Sequence, residues 1–169
     1  PAVPFALTAV ALLLPGTRAA LATIVNGVPP HWLVGIQTLR IAAISTLAKT
    51  LSGAFPLHVE LAIGLTDLVF GLSAVWVFWL ARADRLHPHA LVVWHMVGAA
   101  IILIPGNRAL QTGLPGPMQV FDTHPTAEIM LDWPVVLAPT LVVPTFLLFN
   151  TLGAVAAWQA HSDFNGAPK

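Results

Sequence analysis

The sequence predicts an all-α, polytopic integral membrane helix bundle, a single domain over residues 1–169 with five transmembrane helices, or four. Three observations carry this. Charged residues make up only 8% of the chain and hydrophobic ones 57%, where a soluble domain carries about 25% charged residues. The mean hydropathy, +0.82, agrees. Apolar stretches long enough to cross a hydrocarbon core, about 20 residues each, follow one another along the chain. The tryptophans gather toward one end of these stretches, as an aromatic belt at the headgroup level would.

Segment A opens at Pro4 and stays apolar through Leu14. Pro15-Gly16 and Arg18 interrupt it, and a second apolar piece runs to Val25. It reads as one kinked span, or as a short span followed by an interfacial helix. Counting it gives five spans; omitting it gives four. The first residue is Pro1 rather than Met, from which a processed or incomplete N-terminus is expected.

Segments B (31–52), C (57–82), D (88–107) and E (134–159) are the clearer spans. The turn signals "NGVPP" and "SGAFP" bracket B. The charged stretch "ARADRLHPH" joins C to D. Asn107 and Arg108 close D, with the cation placed favourably against the helix dipole. Residues 111–134 form the one long extramembrane loop, rich in Gly and Pro. Within it, "PTAEIMLDW" is expected to make a short amphipathic helix at the interface.

Lys and Arg set the orientation. Arg18, Arg82, Arg85 and Lys169 fall on one side, Lys49 and Arg108 on the other. The first side is therefore expected in the cytoplasm with the C-terminus, and the 111–134 loop outside. Trp32, Trp76, Trp79, Trp94 and Trp158 fall toward cytoplasmic ends, and Trp133 at the opposite face.

Some functions are excluded early. Without cysteine there are no disulfides, thiolate metal sites or cysteine nucleophiles. Seven basic residues balance seven acidic ones, so no basic field suits nucleic acid. No catalytic constellation or metal site emerges. His87, His89, His124 and His161 lie in polar segments.

The polar residues inside the apolar stretches are the informative ones. At 1.5 Å per residue, Arg40 lies roughly 18 Å from the B–C turn and Asp67 roughly 15 Å from it. Their similar depth makes an ion pair the least costly arrangement, because an unpaired charge there costs about 2.5–3.5 kcal/mol or more. Gln37 sits one turn from Arg40 and completes an intramembrane polar cluster of Gln37, Arg40 and Asp67. Lys49 and Glu60 lie nearer the turn and are expected to snorkel to the interface. Gly64 and Gly71 share the Glu60/Asp67 face and would admit another helix closely. His95 lies about two turns inside D. It reads as a packing residue or as an axial ligand for haem or a chlorophyll-type pigment; no cofactor is otherwise predicted.

The stretches "LVGIQTLRI", "GLTDLVFGLSAVWVFWLAR", "VVWHMVGAAI" and "PVVLAPTLVVPTFLLFNTL" together resemble a family of small bacterial multi-pass membrane proteins over roughly residues 31–160. The shared pattern is a Gln-x-x-Arg helix, an aspartate-bearing helix, a Trp followed by a polar residue, and a Pro-rich last helix. The resemblance marks Gln37, Arg40, Asp67 and His95, although the family often has Asn at the last. It implies a fold and supplies no function; a multi-pass protein of the bacterial inner membrane is expected.

Three functions are open. The first is a non-catalytic subunit or accessory protein that packs within a larger membrane complex. Gly64 and Gly71 would face its partner helices, and Asp122, Glu128 and Asp132 a basic soluble partner. The second is a small-solute or proton carrier centred on Asp67. The third is a pigment or haem binder through His95.

Overall fold

The computed structural model describes residues 14–166, all helix and connection, with no strand among them. The first apolar piece of segment A, from Pro4, and Lys169 lie outside these residues. Among the described residues three helices are long and apolar enough to cross a membrane: Leu57–Arg82, Pro88–Gly113 and Ala138–Ser162. A fourth span exists only if Pro15–Gly27 and Pro30–Leu51 count together, and they are bent by 108°. Five spans are therefore not supported. The described part of segment A, Pro15–Gly27, is 13 residues, too short to cross a hydrocarbon core alone, and Pro29-Pro30 turns it away from Pro30–Leu51. We label these helices α1 (Pro15–Gly27), α2 (Pro30–Leu51), α3 (Leu57–Arg82), α4 (Pro88–Gly113) and α5 (Ala138–Ser162).

Each boundary has a local cause. Proline opens α1, α2 and α4 in the first turn, where its missing donor is not needed. Gly53, at φ 73°, ends α2, and the Ala54 amide reaches back to the Lys49 carbonyl at 2.8 Å. This left-handed closure satisfies the orphan carbonyls of the last turn. Asp84, at φ 52°, plays the same part after α3, with the Arg85 amide on the Leu80 carbonyl at 2.9 Å. The His87 imidazole Nδ1 caps α4 by accepting from the His89 amide at 3.2 Å.

Segment D was expected to close near Asn107, but α4 runs on to Gly113. Pro105 is absorbed by a widened π-type turn over Ile102–Gly106. Widening the turn accommodates a residue that has no N–H to give and whose ring crowds the preceding turn. Comparable wide turns occupy Glu60–Gly64 in α3 and Ala138–Val142 in α5. In α2 the opposite happens: Ile36–Ala43 tightens into a 3₁₀ stretch. Within the long loop, Ala127–Leu131 makes a single 3₁₀ turn that buries Ala127 and Met130.

The four long helices form a closed ring, α3 against α2, α2 against α5, α5 against α4 and α4 against α3. Two apolar clusters fill its ends. Phe55, Val59, Leu110, Ala127 and Met130 form one; Val34, Ala74, Leu91 and Ala157 form the other. Between them lies a layer of buried polar side chains.

Candidate functional site

The polar layer begins with the 3₁₀ stretch of α2. In a 3₁₀ helix, side chains three apart eclipse one another. Gln37 and Arg40 therefore project together, and both are buried. Arg40 meets Asp67 on α3: its Nε donates to the Asp67 Oδ1 at 3.0 Å, and an Nη donates to the same oxygen. The other Nη points toward the Gly98 carbonyl on α4, at 3.4 Å. The guanidinium also lies over the Phe70 ring, 4.5 Å from its centroid, with Phe146 at 5.7 Å. Cation–π contacts of this kind are worth about 2 kcal/mol when desolvated. The ion pair is lopsided in its exposure. The Arg40 side chain is 0% exposed and that of Asp67 17%.

A second polar chain lies beside the first. The Asn150 amide on α5 donates to the Gln37 Oε1 at 3.5 Å, and His95 Nδ1 lies 3.3 Å from the Asn150 Oδ1. With the asparagine nitrogen directed at Gln37, its oxygen is left to accept from an Nδ1–H of His95. Arg40 and this chain together tie α2, α3, α4 and α5 at one level.

Two glycines permit that closeness. A Cβ at Gly71 would fall 2.7 Å from the Ile41 backbone nitrogen, so α2 and α3 touch backbone to backbone there. A Cβ at Gly153 would collide with the His95 ring around Nε2. An axial haem or pigment on that nitrogen would require α4 and α5 to part.

Several sequence expectations change here. Gly64 and Gly71 were expected to face a partner protein. Both are buried, Gly71 against α2 and Gly64 against the Glu60 side chain of its own helix. Glu60 was expected to snorkel, yet it is 1% exposed and neither carboxylate oxygen has a hydrogen-bond partner. Its residue sits on the inner side of the widened turn, which directs it into the bundle. Lys49 remains exposed. Trp94 is not a belt residue: it stacks on Phe70 with centroids 4.4 Å apart and donates its indole N–H to the Ser73 hydroxyl at 3.2 Å. Asp122, Glu128 and Asp132 are all exposed on the loop side. Asn150, Phe70 and Phe146 also join the site. Polar residues in apolar helices are visible in sequence; the aromatic neighbours of an arginine are not.

A cavity of about 250 Å³ runs from the Phe55 and Met130 end of the bundle inward to Arg40 and Asp67. Its walls are mostly apolar, including Val59, Ile63, Val143 and Phe146, with Thr46 and Asp67 among the few polar groups. A smaller cavity of about 30 Å³ also meets Asp67, between α3, α4 and α5. Among the described residues no group of His, Asp or Glu is placed to hold a metal ion.

These features define a small all-helical protein with spans of membrane length and an ion pair at the end of an internal cavity. The chain belongs to the family described as Domain of unknown function (DUF8737), whose model matches residues 2–156. Neither a curated protein nor a solved structure matches it.

Proposed function

We propose that the chain is a carrier or receptor for a small amphipathic solute, resident in the bacterial inner membrane and built around Asp67. The observation that carries this reading is the cavity, which ends on the one member of the ion pair that is not wholly enclosed. An apolar pocket with a few convergent polar groups is the usual form of a small-molecule site, and an ionisable group within a membrane is functional by default. Membrane residence is supported by the outward face of the helices. Val69, Leu72 and Trp76 on α3, Met96 and Ile104 on α4, and Leu141 on α5 are all exposed. Large continuous apolar surface of this kind belongs against lipid.

The same geometry weighs against the subunit reading. Association in lipid depends on small and polar residues left on an outer face. Here Gly64, Gly71, Gln37 and Arg40 are turned into the chain's own bundle. The exterior loop keeps a second reading in view, because Val120 and Trp133 are exposed beside Asp122 and Asp132. A partner with a basic, partly apolar surface would suit it, and its binding would weaken with salt.

The cavity is tested by filling it. Small amphipathic probes, neutral and cationic, should raise the melting temperature of the purified chain in proportion to concentration, as any ligand selective for the folded state does. In Val143→Phe, whose ring would occupy the cavity, the rise should vanish while the starting melting temperature changes little. A rise of equal size in that variant would place the binding elsewhere.

The orientation follows from the basic residues, with the 111–134 loop outside and the C-terminus in the cytoplasm. Since the chain has no cysteine, a single cysteine at Gln119 is a clean reporter. It should react with a membrane-impermeant thiol reagent on intact spheroplasts. Labelling only after lysis would reverse the topology.

A further inference from the structure

We infer that the cavity takes its ligand sideways from the bilayer, and that the ligand is a single-chain lipid with a neutral, hydroxyl-bearing head. This rests on the cavity and membrane readings above and adds the route and the ligand class. The end of the cavity toward the long loop is closed. Phe55, Val59, Leu110 and Met130 line it there, and all four are buried. The lining residues that are exposed lie elsewhere: Leu39, Ala42 and Ser45 on α2, and Val142 on α5.

These four stand on either side of a gap between two helices. The first turns of α2, Pro30–Gly35, pack on α5, and the 3₁₀ stretch touches it, whereas Ile44–Leu51 packs chiefly on α3. The two helices therefore part toward the loop side, and the cavity reaches the surface between them. At 1.5 Å per residue, Ser45 and Leu39 lie roughly 10 and 20 Å from the turn at Ser52. That depth falls within a hydrocarbon core of about 30 Å. Beside them in the chain, Ile44 and Leu141 are exposed as well. A solute dissolved in the membrane meets this opening directly; one in water meets the closed end.

Size and polarity narrow the ligand. The cavity, about 250 Å³, exceeds the roughly 150 Å³ that accepts benzene and falls far short of a whole two-chain lipid. The polar end and first carbons of one chain fit inside, and the opening leaves the rest of that chain in the bilayer. At the inner end stands Asp67. Both Arg40 donors that reach it meet Oδ1, and Oδ2 accepts no hydrogen bond among the described residues. The ion pair is neutral as a whole, so a charged head would come without a counter-charge. A hydroxyl can donate to Oδ2 and leave no charge behind. A second polar point lies at the opening. The hydroxyls of Thr38, Thr46 and Thr50 on α2 donate to carbonyls of the preceding turn. That of Ser45 makes no such bond among the described residues, and it can meet the head as it passes.

The test uses the full chain in lipid nanodiscs and photoreactive hexadecanol in two forms. One carries a diazirine beside the hydroxyl carbon, the other at the far end of the chain. After illumination, peptide mass spectrometry should find the first form on the cavity residues Ile63, Val143 and Phe146, and the second on lipid-facing residues only. Unlabelled 1-hexadecanol should displace the first form at least about tenfold more effectively than 1-methoxyhexadecane, which has no proton to donate. Ala42→Trp, which sets an indole in the opening, should lower cavity labelling at least about tenfold. Ala42 is exposed, and Ser45→Trp serves if that variant does not fold. Undiminished labelling in the Trp variant would overturn the side route, and equal displacement by the ether would overturn the hydroxyl-bearing head. Labelling confined to lipid-facing residues would overturn the lipid ligand. The cavity reading would then stand or fall separately, on the melting shift with small probes and its loss in Val143→Phe.

Discussion

Asp67→Asn is expected to destabilise the protein by about 3 kcal/mol, and Arg40→Met by clearly less. The asymmetry comes from chemistry rather than from distance. Arginine cannot lose its charge in a protein, so removing Asp67 strands a cation that is fully enclosed. The asparagine oxygen, the Gly98 carbonyl and the Phe70 face offset part of the loss. That places the cost near the low end of what breaking a buried ion pair usually takes. Removing Arg40 instead leaves an aspartate with 17% exposure, which can take up a proton or reach water. Methionine fills most of the vacated volume and adapts to irregular space. Reversible unfolding in mixed micelles gives both values. Equal losses, or a larger loss for Arg40→Met, would show that the enclosure of Arg40 does not govern the pair.

Gly71→Ala is the second large effect. The added Cβ meets the backbone of α2 at Ile41 and Arg40, not the end of a movable side chain. The helices must separate, at a cost of about 1–3 kcal/mol for overpacking. The alanine's better helix propensity, worth up to about 1 kcal/mol, offsets part of this. Gly16→Ala is the matched control, since nothing lies within 4 Å of a Cβ there; it should be neutral or slightly stabilising. Separation of α2 from α3 should also weaken probe binding, because the Arg40–Asp67 contact bridges the same two helices. A Gly71→Ala protein as stable as the parent would mean that the two backbones are not in contact.

The long helices were legible in the sequence because apolarity over 20 residues is a strong local signal. Residues 57–82 were read with the bounds that α3 has. The end of α4 was misread because Pro105-Gly106 looks like a stop, and nothing local announces that a widened turn can take up the proline. The span count failed because the described piece of segment A, Pro15–Gly27, is only 13 residues, too short to cross a hydrocarbon core alone. Equal depth along a hairpin brought Arg40 and Asp67 together on paper. It could not say that a 3₁₀ stretch would align Gln37 with Arg40, or that a wide turn would direct Glu60 inward. Both are departures from the ideal helix, and reasoning from an ideal helix gave Glu60 an interfacial position. Asn150 and His95 come from helices distant in sequence; their meeting rests on Gly98 and Gly153, whose effect appears only once α4 and α5 are packed.

The central claim is that this chain alone moves or holds a small solute in its own cavity. Its most direct measurement is uptake of small amphipathic probes, neutral and cationic, into sealed lipid vesicles containing only the purified 17.9 kDa chain. The account requires uptake above that of protein-free vesicles, abolished in Val143→Phe. No uptake by the parent chain, together with its recovery from native membranes at fixed stoichiometry with other membrane proteins, would contradict the account and favour a subunit of a larger assembly.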